Sequence, residues 1–405
     1  MKKRSVCMLI SEHPYEDARI FEREAKSLVG AGYNVTMLVP QFKGTLLGIE
    51  GAPLKKKVEP FCEAGVTIIP YEATNVQSQF TLDQTKEHSR TLAKCGAEID
   101  ADVYHAHEPS SLVAAVQIKR TKPHAKVIFD SHELVIDARA KTSNRRQRQY
   151  ENVFRELLKD VDALITVSPS IAKDCYDHGY KGPSELIYNA PRLSSPPKLK
   201  QSIRTIGYVG TVTKEKGNWH KLLELASESN YHVKVIGGAS KFTEPLGIPK
   251  KLQNRIHIRG WVPYRHIAAE LQDVDVGWID MDLSTALNRD YALPNKFFSY
   301  LDAGVPVLVN RCKDMRNFIE RYSCGASVPK SVANAQDYLK QLALMEGNLS
   351  TFSRNARNVM ETTASWEKME IRLIELYGAL FEHRNCQIVQ SFSFVLTYCN
   401  SRNIC

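Results

Sequence analysis

Residues 293–310 read LPNKFFSYLDAGVPVLVN, and this stretch decides the fold class. Pro294 stands where a helix can begin, because proline fits the first helical turn, and Gly304 closes the helical pattern. The run VPVLV that follows is apolar on both faces, as expected of a strand buried inside a parallel sheet. A helix that leads directly into such a strand is typical of α/β proteins.

The same alternation of short apolar runs and helical patterns extends along the whole chain. Strands that are apolar on both faces and separated by helices favour parallel sheets covered on both sides. The predicted strands lie at 5–11, 34–40, 66–71, 102–107, 126–132, 163–168 and 184–190, and then at 205–211, 232–238, 256–262, 274–281 and 305–310. We therefore predict an α/β fold of two Rossmann-like, doubly wound parallel-sheet domains that face a cleft.

A proline-rich interruption separates the two groups of strands. Residues 191–204, PRLSSPPKLKQSIR, have three prolines and no periodicity, as expected of a linker. This linker divides an N-terminal domain at 1–190 from a C-terminal domain at 205–365, which is followed by a helical segment at 366–384. Residues 385–405 have no helical period and are predicted to form an irregular tail.

The composition indicates a globular protein with a basic surface. The 405 residues include 54 lysines and arginines against 45 aspartates and glutamates, a net charge of +9 that attracts anions such as nucleotides or acidic lipids. Nine cysteines without C-x-x-C spacing argue against a zinc or redox motif and fit a reducing cytosol. The sequence contains neither the G-x-S-x-G of many serine hydrolases nor the phosphate-binding motif of P-loop ATPases.

Glycine-rich strand ends in the second half point to an anion site. Gly210 ends the first strand of that half, and Lys216 and Gly217 follow at the next helix start. Bare backbone lets a phosphate approach, and a lysine beside a helix start adds a full charge. A simple β–α turn is the alternative for this element alone. Three further segments are predicted to lie at the same sheet edge as this turn: IGGAS at 236–240, GWVP at 260–263 and LPNK at 293–296.

Histidines and carboxylates mark the strand ends of the first half. The segment HAHEP at 105–109 places His105 and His107 on one face of a strand, with His107 nearer the open end. His105 is equally well explained as a core histidine. Two histidines with Glu108 and Glu133 also admit a zinc site as the less favoured alternative. Further polar residues at strand ends are Glu12, His13, Asp17, Arg19 and His132.

Taken together, the sequence resembles the GT-B glycosyltransferases, specifically the retaining family-4 or group 1 type. The resemblance covers about 1–384, and its segments occur in the order of the family. They are EDARIFEREAKSLVGAGYNVTMLVP, DVYHAHEPSSL, VIFDSHEL, DALITVS, LIYNAP, YVGTVTKEKG, VKVIGG, IRGWVP and YALPNKFFSYLDAGVPVLV. The resemblance implies transfer of a sugar from a nucleoside diphosphate-sugar, with retention, to a lipid-linked or polysaccharide acceptor. It also implies that the helix at 366–384 returns to the N-terminal domain.

The resemblance also implies roles for individual residues. His107 and Lys216 would be catalytic, and no metal would be needed because lysine and helix dipoles stabilise the leaving diphosphate. The donor would bind at Gly210, Thr211, Gly217, Gly237, Gly238, Trp261, Val262, Leu293, Pro294, Asn295, Lys296 and Ser299. The acceptor side would comprise Glu12, His13, Asp17, Arg19, His132 and Glu133.

Three positions depart from the family pattern. The family often has an arginine where this chain has Thr211, and glutamates where it has Tyr291 and Ser299. A weakly active or inactive homologue that binds a sugar nucleotide or a partner transferase is therefore one alternative, and a nucleotide-sugar epimerase is another. Basic stretches at 2–4, 55–57 and 139–148 predict peripheral contact with an anionic membrane from the cytoplasm, and no nucleic-acid motif accompanies them.

Overall fold

The structure is a computed structural model that describes residues 3–48, 53–56, 59–73, 82–83, 86–139, 143–213, 216–239, 246–330 and 332–382. The tail predicted at 385–405 lies outside these residues. The chain forms two compact units. Within the described residues, the first unit runs to Ile136, resumes at 143 and continues to Ile187, and includes the chain from Glu370 onward. The second unit contains Asp137 to 139 and Tyr188 to Met369.

The sheet of the first unit is built around a parallel core. The strand order β10-β9-β8-β7-β1-β2 is parallel throughout, and β6 pairs in parallel with β2. Short antiparallel pairs add β3 to β2, β4 to β3 and β5 to β6. The strands are β1 (Ser5–Ile10), β2 (Asn34–Phe42), β3 (Thr45–Leu47), β4 (Pro53–Lys56), β5 (Phe61–Glu63), β6 (Val66–Glu72), β7 (Val103–His107), β8 (Lys126–Ser131), β9 (Ala163–Thr166) and β10 (Ser184–Leu186).

The helices of the first unit include a widened turn that matters for the site. The helical pattern after β1 forms a π-helical turn at Ile20–Ala25 before it becomes α1 (Lys26–Gly30). Such turns are rare and occur often at functional sites. Here the π-helical turn buries both Arg23 and Glu24. The other helices are α2 (Glu87–Glu98), α3 (Pro109–Thr121), α4 (Asn144–Leu158) and α5 (Pro169–Asp177).

The second unit has a sheet of six parallel strands in the order β13-β12-β11-β14-β15-β16. Its first strand, β11, pairs with β12 on one side and β14 on the other, so the winding direction reverses there. Ligands of open α/β sheets bind at the carboxyl ends of strands beside such a reversal. The strands are β11 (Thr205–Val212), β12 (His232–Ala239), β13 (Ile256–Gly260), β14 (Val276–Ile279), β15 (Val307–Val309) and β16 (Gly325–Ser327).

Helices flank this second sheet along most of its length. The α-helices are α6 (Trp219–Ser227), α7 (Ile267–Glu270), α8 (Leu287–Tyr291), α9 (Asn295–Asp302), α10 (Lys313–Tyr322), α11 (Ala335–Glu346), α12 (Leu349–Val359) and α13 (Trp366–Ala379). Short 3₁₀ turns lie at Lys250–Leu252 and Tyr264–His266, and a π-helical turn at Met360–Ala364 follows α12. The predicted linker, 191–204, contains no helix or strand and groups with the second unit. Helix α13 begins in the second unit and ends in the first.

The stretch 293–310 shows how sequence becomes packing in the second unit. Helix α9 buries Tyr300, whose hydroxyl donates to the carbonyl of Gly207 at 3.1 Å and accepts from the backbone N–H of Val209 at 2.9 Å. Both partners lie on β11, so the helix is anchored to the centre of the sheet. The strand after α9 is fully buried, as its apolar run predicts. The prediction of an α/β fold with two mostly parallel, helix-flanked sheets is confirmed.

No helix among the described residues combines the length and apolar character needed to cross a membrane.

Candidate active site

The carboxyl ends of β11 and β12 form a bare backbone edge in the second unit. Gly210 pairs with Gly237, and Thr211 pairs with Gly238. A Cβ on Gly237 would lie 2.3 Å from the carbonyl oxygen of Gly210, and the φ of Gly237 is +127°. Both the space and the backbone conformation therefore require glycine at this position. The result is an edge beside the β11–β14 reversal that a ligand can approach without meeting side chains.

Lys216 is held near this edge by a tight loop. Its N–H donates to the hydroxyl oxygen of Thr213 at 3.0 Å, and its carbonyl accepts from the N–H of Thr213 at 2.8 Å. Gly217 next to it has a φ of +78°, and a Cβ there would lie 2.3 Å from the ring of Tyr208. The loop thus combines a close approach of backbone to an aromatic ring with an exposed lysine side chain.

Lys296 reaches the same edge from the first turn of α9. Its ammonium nitrogen lies 2.7 Å from the hydroxyl of Tyr208 and 3.9 Å from the centre of that ring. A Cβ on Gly210 would be 3.5 Å from this nitrogen. Burial, together with the charge of Lys216, lowers the pKa of Lys296 to about 7. The structure therefore brings Lys296, which lies much later in the sequence, close to Gly210 and Lys216.

The remaining predicted donor residues differ in exposure: some side chains are open to solvent and others are buried. Trp261 and Val262 follow β13, the edge strand, and the indole is 51% exposed. Leu293 is buried, and Pro294 is the N-cap of α9, where its own side chain makes no capping hydrogen bond. Asn295 is exposed at that start. Ser299 is only 5% exposed, and its hydroxyl donates to the carbonyl of Asn295 at 3.0 Å within the helix.

In the first unit, β7 carries two histidines on one face, as alternation predicts. The rings of His105 and His107 lie 4.3 Å apart, and both side chains are completely buried. His105 Nδ1 is 2.8 Å from the hydroxyl of Tyr377, and His107 Nδ1 is 3.3 Å from Nε2 of His132. Burial lowers the pKa of His105 well below its ordinary value and that of His107 to about 4. Both imidazoles are therefore neutral at pH 7.

Two expectations about exposure in the first unit need correction. His107 was expected nearer the open end of its strand, and Arg19 was expected on the acceptor side. Instead His107 is 0% exposed and Arg19 is 5% exposed. The reason is that β7 lies at the centre of the sheet and that the chain from Arg19 through the π-helical turn lies against its end. Glu24 of that turn has a carboxylate oxygen 4.0 Å from the Nε2 atoms of both His105 and His107.

Arg19 forms a buried ion pair that the sequence did not indicate. Its guanidinium donates twice to the carboxylate of Asp130 at 2.9 Å, and once to the carbonyl of Ile187 at 2.8 Å. Burial opposes ionisation of Asp130, but Arg19 and then His132 hold its pKa well below the usual range. Burial raises the pKa of Glu24 to about 8, against the opposing charge of Arg19. Asp130 follows an apolar run at a strand end, and that position was the one available signal.

Nearer the surface, three strand ends converge on one carboxylate oxygen. Oε1 of Glu108 lies 3.1 Å from Nε2 of His13 and 3.2 Å from Nδ1 of His132. We call His13, Glu108 and His132 the rim triad. Glu108 has a φ of +77° and a ψ of 159°, a sparsely populated conformation for a residue with a side chain. Strain of this kind often accompanies a functional site.

Electrostatics sets the charge state of the rim triad. Burial opposes protonation of its histidines, but Asp17 and Glu108 raise the pKa of His13, and Asp130 raises that of His132 to about 9. Burial also opposes ionisation of Glu108, but His13 and His132 lower its pKa to about 2. Both histidines are thus cationic at pH 7.

Two further predicted acceptor-side residues lie next to the rim triad in sequence. Burial and then the charge of Glu108 raise the pKa of Glu12 to about 7. Glu133 is exposed. A carboxyl group with a pKa near neutrality can exchange a proton under physiological conditions.

Comparisons with known proteins agree with this architecture. Residues 18–193 match the family model described as Glycosyltransferase Family 4. No curated protein matches the chain. Similar solved structures include sucrose-phosphate synthase (tll1590) from Thermosynechococcus elongatus, with 15% identity, coverage of 94% of this chain and 99% of that chain, and a TM-score of 0.70.

Two further structures cover nearly all of both chains. Anabaena Alr3699/HepE in complex with UDP has 13% identity, coverage of 93% and 100%, and a TM-score of 0.64. A glycosyltransferase from Rickettsia africae ESF-5 has 14% identity, coverage of 95% and 100%, and a TM-score of 0.65. These likenesses extend over both units of the chain, whereas the family model matches residues 18–193. The chain therefore has a fold like that of the GT-B glycosyltransferases.

Proposed function

We propose that the protein transfers a sugar from a nucleoside diphosphate-sugar to a hydroxyl group of a lipid-linked or polysaccharide acceptor, with retention at the anomeric carbon. The observation that carries the donor part is the pair of lysines, Lys216 and Lys296, beside the bare edge at Gly210 and Gly237. Backbone N–H groups, a helix start and two cations are what a diphosphate needs. Retention and the class of acceptor rest on the family resemblance alone.

The ligands bound in similar structures support a nucleotide-sugar donor. Anabaena Alr3699/HepE was solved with UDP-glucose, and a trehalose-6-phosphate protein of E. coli was solved with UDP-2-fluoro glucose. In our proposal the diphosphate of such a donor lies along the β11–β12 edge. The free N–H groups at the start of α9 and the lysine side chains then stabilise the charge that develops as the sugar leaves. The transfer itself requires no metal in this proposal.

In the first unit, we propose that the acceptor meets the strand ends at Glu12, His13 and His132. Glu12 has a pKa near neutrality and is suited to exchange a proton with an acceptor hydroxyl. His107 is buried behind His132, with its Nδ1 3.3 Å from that ring. We therefore propose that His107 orients His132 and acts on the sugar through it, without direct contact.

The donor site is tested by calorimetric titration of a panel of nucleoside diphosphate-sugars, followed by donor-hydrolysis assays. A charge-assisted contact is worth about 1.5–3 kcal/mol, so Lys216→Ala should weaken binding about tenfold or more. Lys330→Ala is the matched control, because Lys330 is an exposed lysine of the same unit that pairs with Asp337. If Lys216→Ala and Lys330→Ala bind the donor equally well, the lysine pair does not form the diphosphate site.

A weakly active or inactive homologue is the second candidate, and one observation favours it. Ser299 is 5% exposed and uncharged, and its hydroxyl proton is donated to the carbonyl of Asn295, so it is a weaker acceptor for ribose hydroxyls than a glutamate would be. Tight binding of a donor without hydrolysis or transfer would support this candidate. Turnover with any acceptor would exclude it.

We also propose that the first unit contacts anionic lipid on the cytoplasmic side through α4. Arg145, Arg146 and Arg148 are exposed near the amino end of this helix. Cations there oppose the helix dipole, which makes an anionic partner favourable. Replacing all three with glutamine should reduce binding to phosphatidylserine-containing vesicles, by about 1 kcal/mol per arginine at most. Vesicle binding that does not weaken with rising salt would contradict this contact.

A further inference from the structure

The geometry of the rim triad suggests a ligand smaller than a sugar. A four-coordinate zinc ion binds nitrogen and oxygen at about 2.0–2.2 Å, so neighbouring ligand atoms are about 3.4 Å apart. Glu108 Oε1 lies 3.1 Å from His13 Nε2 and 3.2 Å from His132 Nδ1. One ligand atom from each residue lies within 4.8 Å of the other two. Two of the three separations are therefore close to the ligand spacing around one ion, and the third, between the two histidine nitrogens, is no more than 4.8 Å.

Each histidine is also oriented from behind by a second carboxylate. His13 Nδ1 lies 3.5 Å from Asp17 Oδ2, and His132 Nε2 lies 2.9 Å from Asp130 Oδ2. Metal-binding histidines almost always have their second nitrogen held in this way, which fixes the ring. The ion replaces the proton on the first nitrogen of each ring, so binding releases two protons. The nitrogens left over on these two rings are the ones that face Glu108.

Access separates the rim triad from the buried group behind it. Glu24, His105, His107 and Asp130 also place four potential ligand atoms close together, but all four residues are completely buried. Glu24 Oε2 is 4.0 Å from both histidine nitrogens, which is wider than ligand spacing around a zinc ion. In the rim triad, by contrast, the His13 side chain is 30% exposed, so an ion can enter and retain water.

We propose that the rim triad binds one divalent transition-metal ion of the zinc class through His13 Nε2, Glu108 Oε1 and His132 Nδ1. Borderline ions of this kind prefer two imidazoles and a carboxylate, whereas Mg²⁺ and Ca²⁺ prefer oxygen ligands. The set differs from the residues that sequence spacing suggested, since it contains His13 and His132 in place of His105 and His107.

This binding goes beyond the proposed sugar transfer and does not depend on it. The ion joins the carboxyl ends of β1, β7 and β8 and neutralises Glu108. It occupies residues at which we propose that the acceptor binds. We therefore infer that zinc competes with the acceptor, while donor binding in the second unit is unaffected.

The experiment is calorimetric titration of the full chain with ZnCl₂, combined with anomalous diffraction from zinc-soaked crystals. We expect an anomalous peak between the three ligand atoms. His13→Ala removes a partly exposed ligand and should weaken binding at this site by more than about 100-fold, because loss of an outer partner alone costs about 10–100-fold. Asp17→Asn, which alters such an outer partner, should fall within that range.

The matched control is His178→Ala. His178 is also held by a carboxylate, with Nδ1 3.3 Å from Asp174, but it is not in either group of potential metal ligands found among the described residues. Its replacement should leave zinc affinity unchanged. An anomalous peak at cysteine thiols alone, or equal affinities of His13→Ala and His178→Ala, would overturn the proposal. Circular dichroism of each variant shows whether the fold is retained.

Discussion

Lys296 couples the charge of the proposed donor site to pH. Its ammonium group lies against the ring and hydroxyl of Tyr208, and its pKa of about 7 means that roughly half of the molecules carry the proton at pH 7. A bound diphosphate favours the charged form, because an opposite charge nearby raises a lysine pKa. Binding above pH 7 should therefore take up a proton.

The size of the effect follows from the titration curve. The protonated fraction of Lys296 falls from about 0.9 at pH 6 to about 0.1 at pH 8, so the affinity for a nucleoside diphosphate-sugar should fall about tenfold over that range. At pH 8, binding should take up about 0.9 proton. Such a donor is a good probe, because its esterified diphosphate has no titration of its own near neutrality.

Lys296→Met isolates this contribution and also changes stability. The folded-state pKa lies below the unfolded value of 10.5, so the cost of burying the lysine is fully present below about pH 7 and disappears as the pH rises towards 10.5. The upper limit is about 5 kcal/mol, and partial exposure to solvent reduces it to about 1–2 kcal/mol. The variant should be more stable than the parent at pH 7, with a smaller gain at pH 10.

The assay is calorimetric titration in buffers with different ionisation enthalpies, which measures proton uptake directly. The parent protein should show uptake at pH 8 and little at pH 6, and Lys296→Met should show neither uptake nor the tenfold change in affinity. Lys330→Met serves as the control at an exposed lysine of the same unit. A parent protein with no buffer dependence at pH 8, or a Lys296→Met variant with the same dependence, would refute the reasoning.

Three further variants test individual contacts. Asp130→Asn removes the carboxylate that accepts two hydrogen bonds from Arg19 and leaves Glu24, 3.0 Å from that guanidinium, as its remaining carboxyl partner, so the free energy of unfolding should fall by at most about 3–5 kcal/mol in denaturant titrations. Gly237→Ala forces a Cβ against the carbonyl of Gly210 and should lose donor affinity in calorimetry together with about 1–3 kcal/mol of stability. Ser299→Ala removes a hydrogen bond within a helix, so donor affinity should stay within about twofold of the parent; a larger loss would mean that the hydroxyl contacts the donor.

The fold was largely predictable because its signals are local. Strands buried on both faces appear as continuous apolar runs, and the helices between them have apolar residues at every third or fourth position. Neither sequence pattern depends on contacts with distant parts of the chain. The strands that were missed are β3, β4, β5 and β16, which have three or four residues each. Runs that short carry too little periodicity to be distinguished from loops, and their partners in the sheet define them.

The candidate site was predictable only in part. Successive side chains of a strand point to opposite faces of the sheet, and this rule correctly placed His105 and His107 on one face of β7, because side-chain direction in a strand depends on local geometry. Their burial was not predictable, because it depends on where the π-helical turn at Ile20–Ala25 lies. The spacing of residues along the chain likewise contains no signal for a turn that is held by distant elements.

Local sequence signals were sufficient to predict the two parallel sheets, the bare glycine edges and the amino end of α9, because backbone preferences and apolar periodicity act over a few residues. Tertiary structure alone decided the charged contacts. Arg19 and Asp130 are 111 positions apart, and Lys296 and Tyr208 are 88 positions apart. The rim triad likewise joins three separate strand ends. Parallel strands bring their carboxyl ends to one edge whatever the length of chain between them, so the winding order of the sheet decides which polar side chains meet.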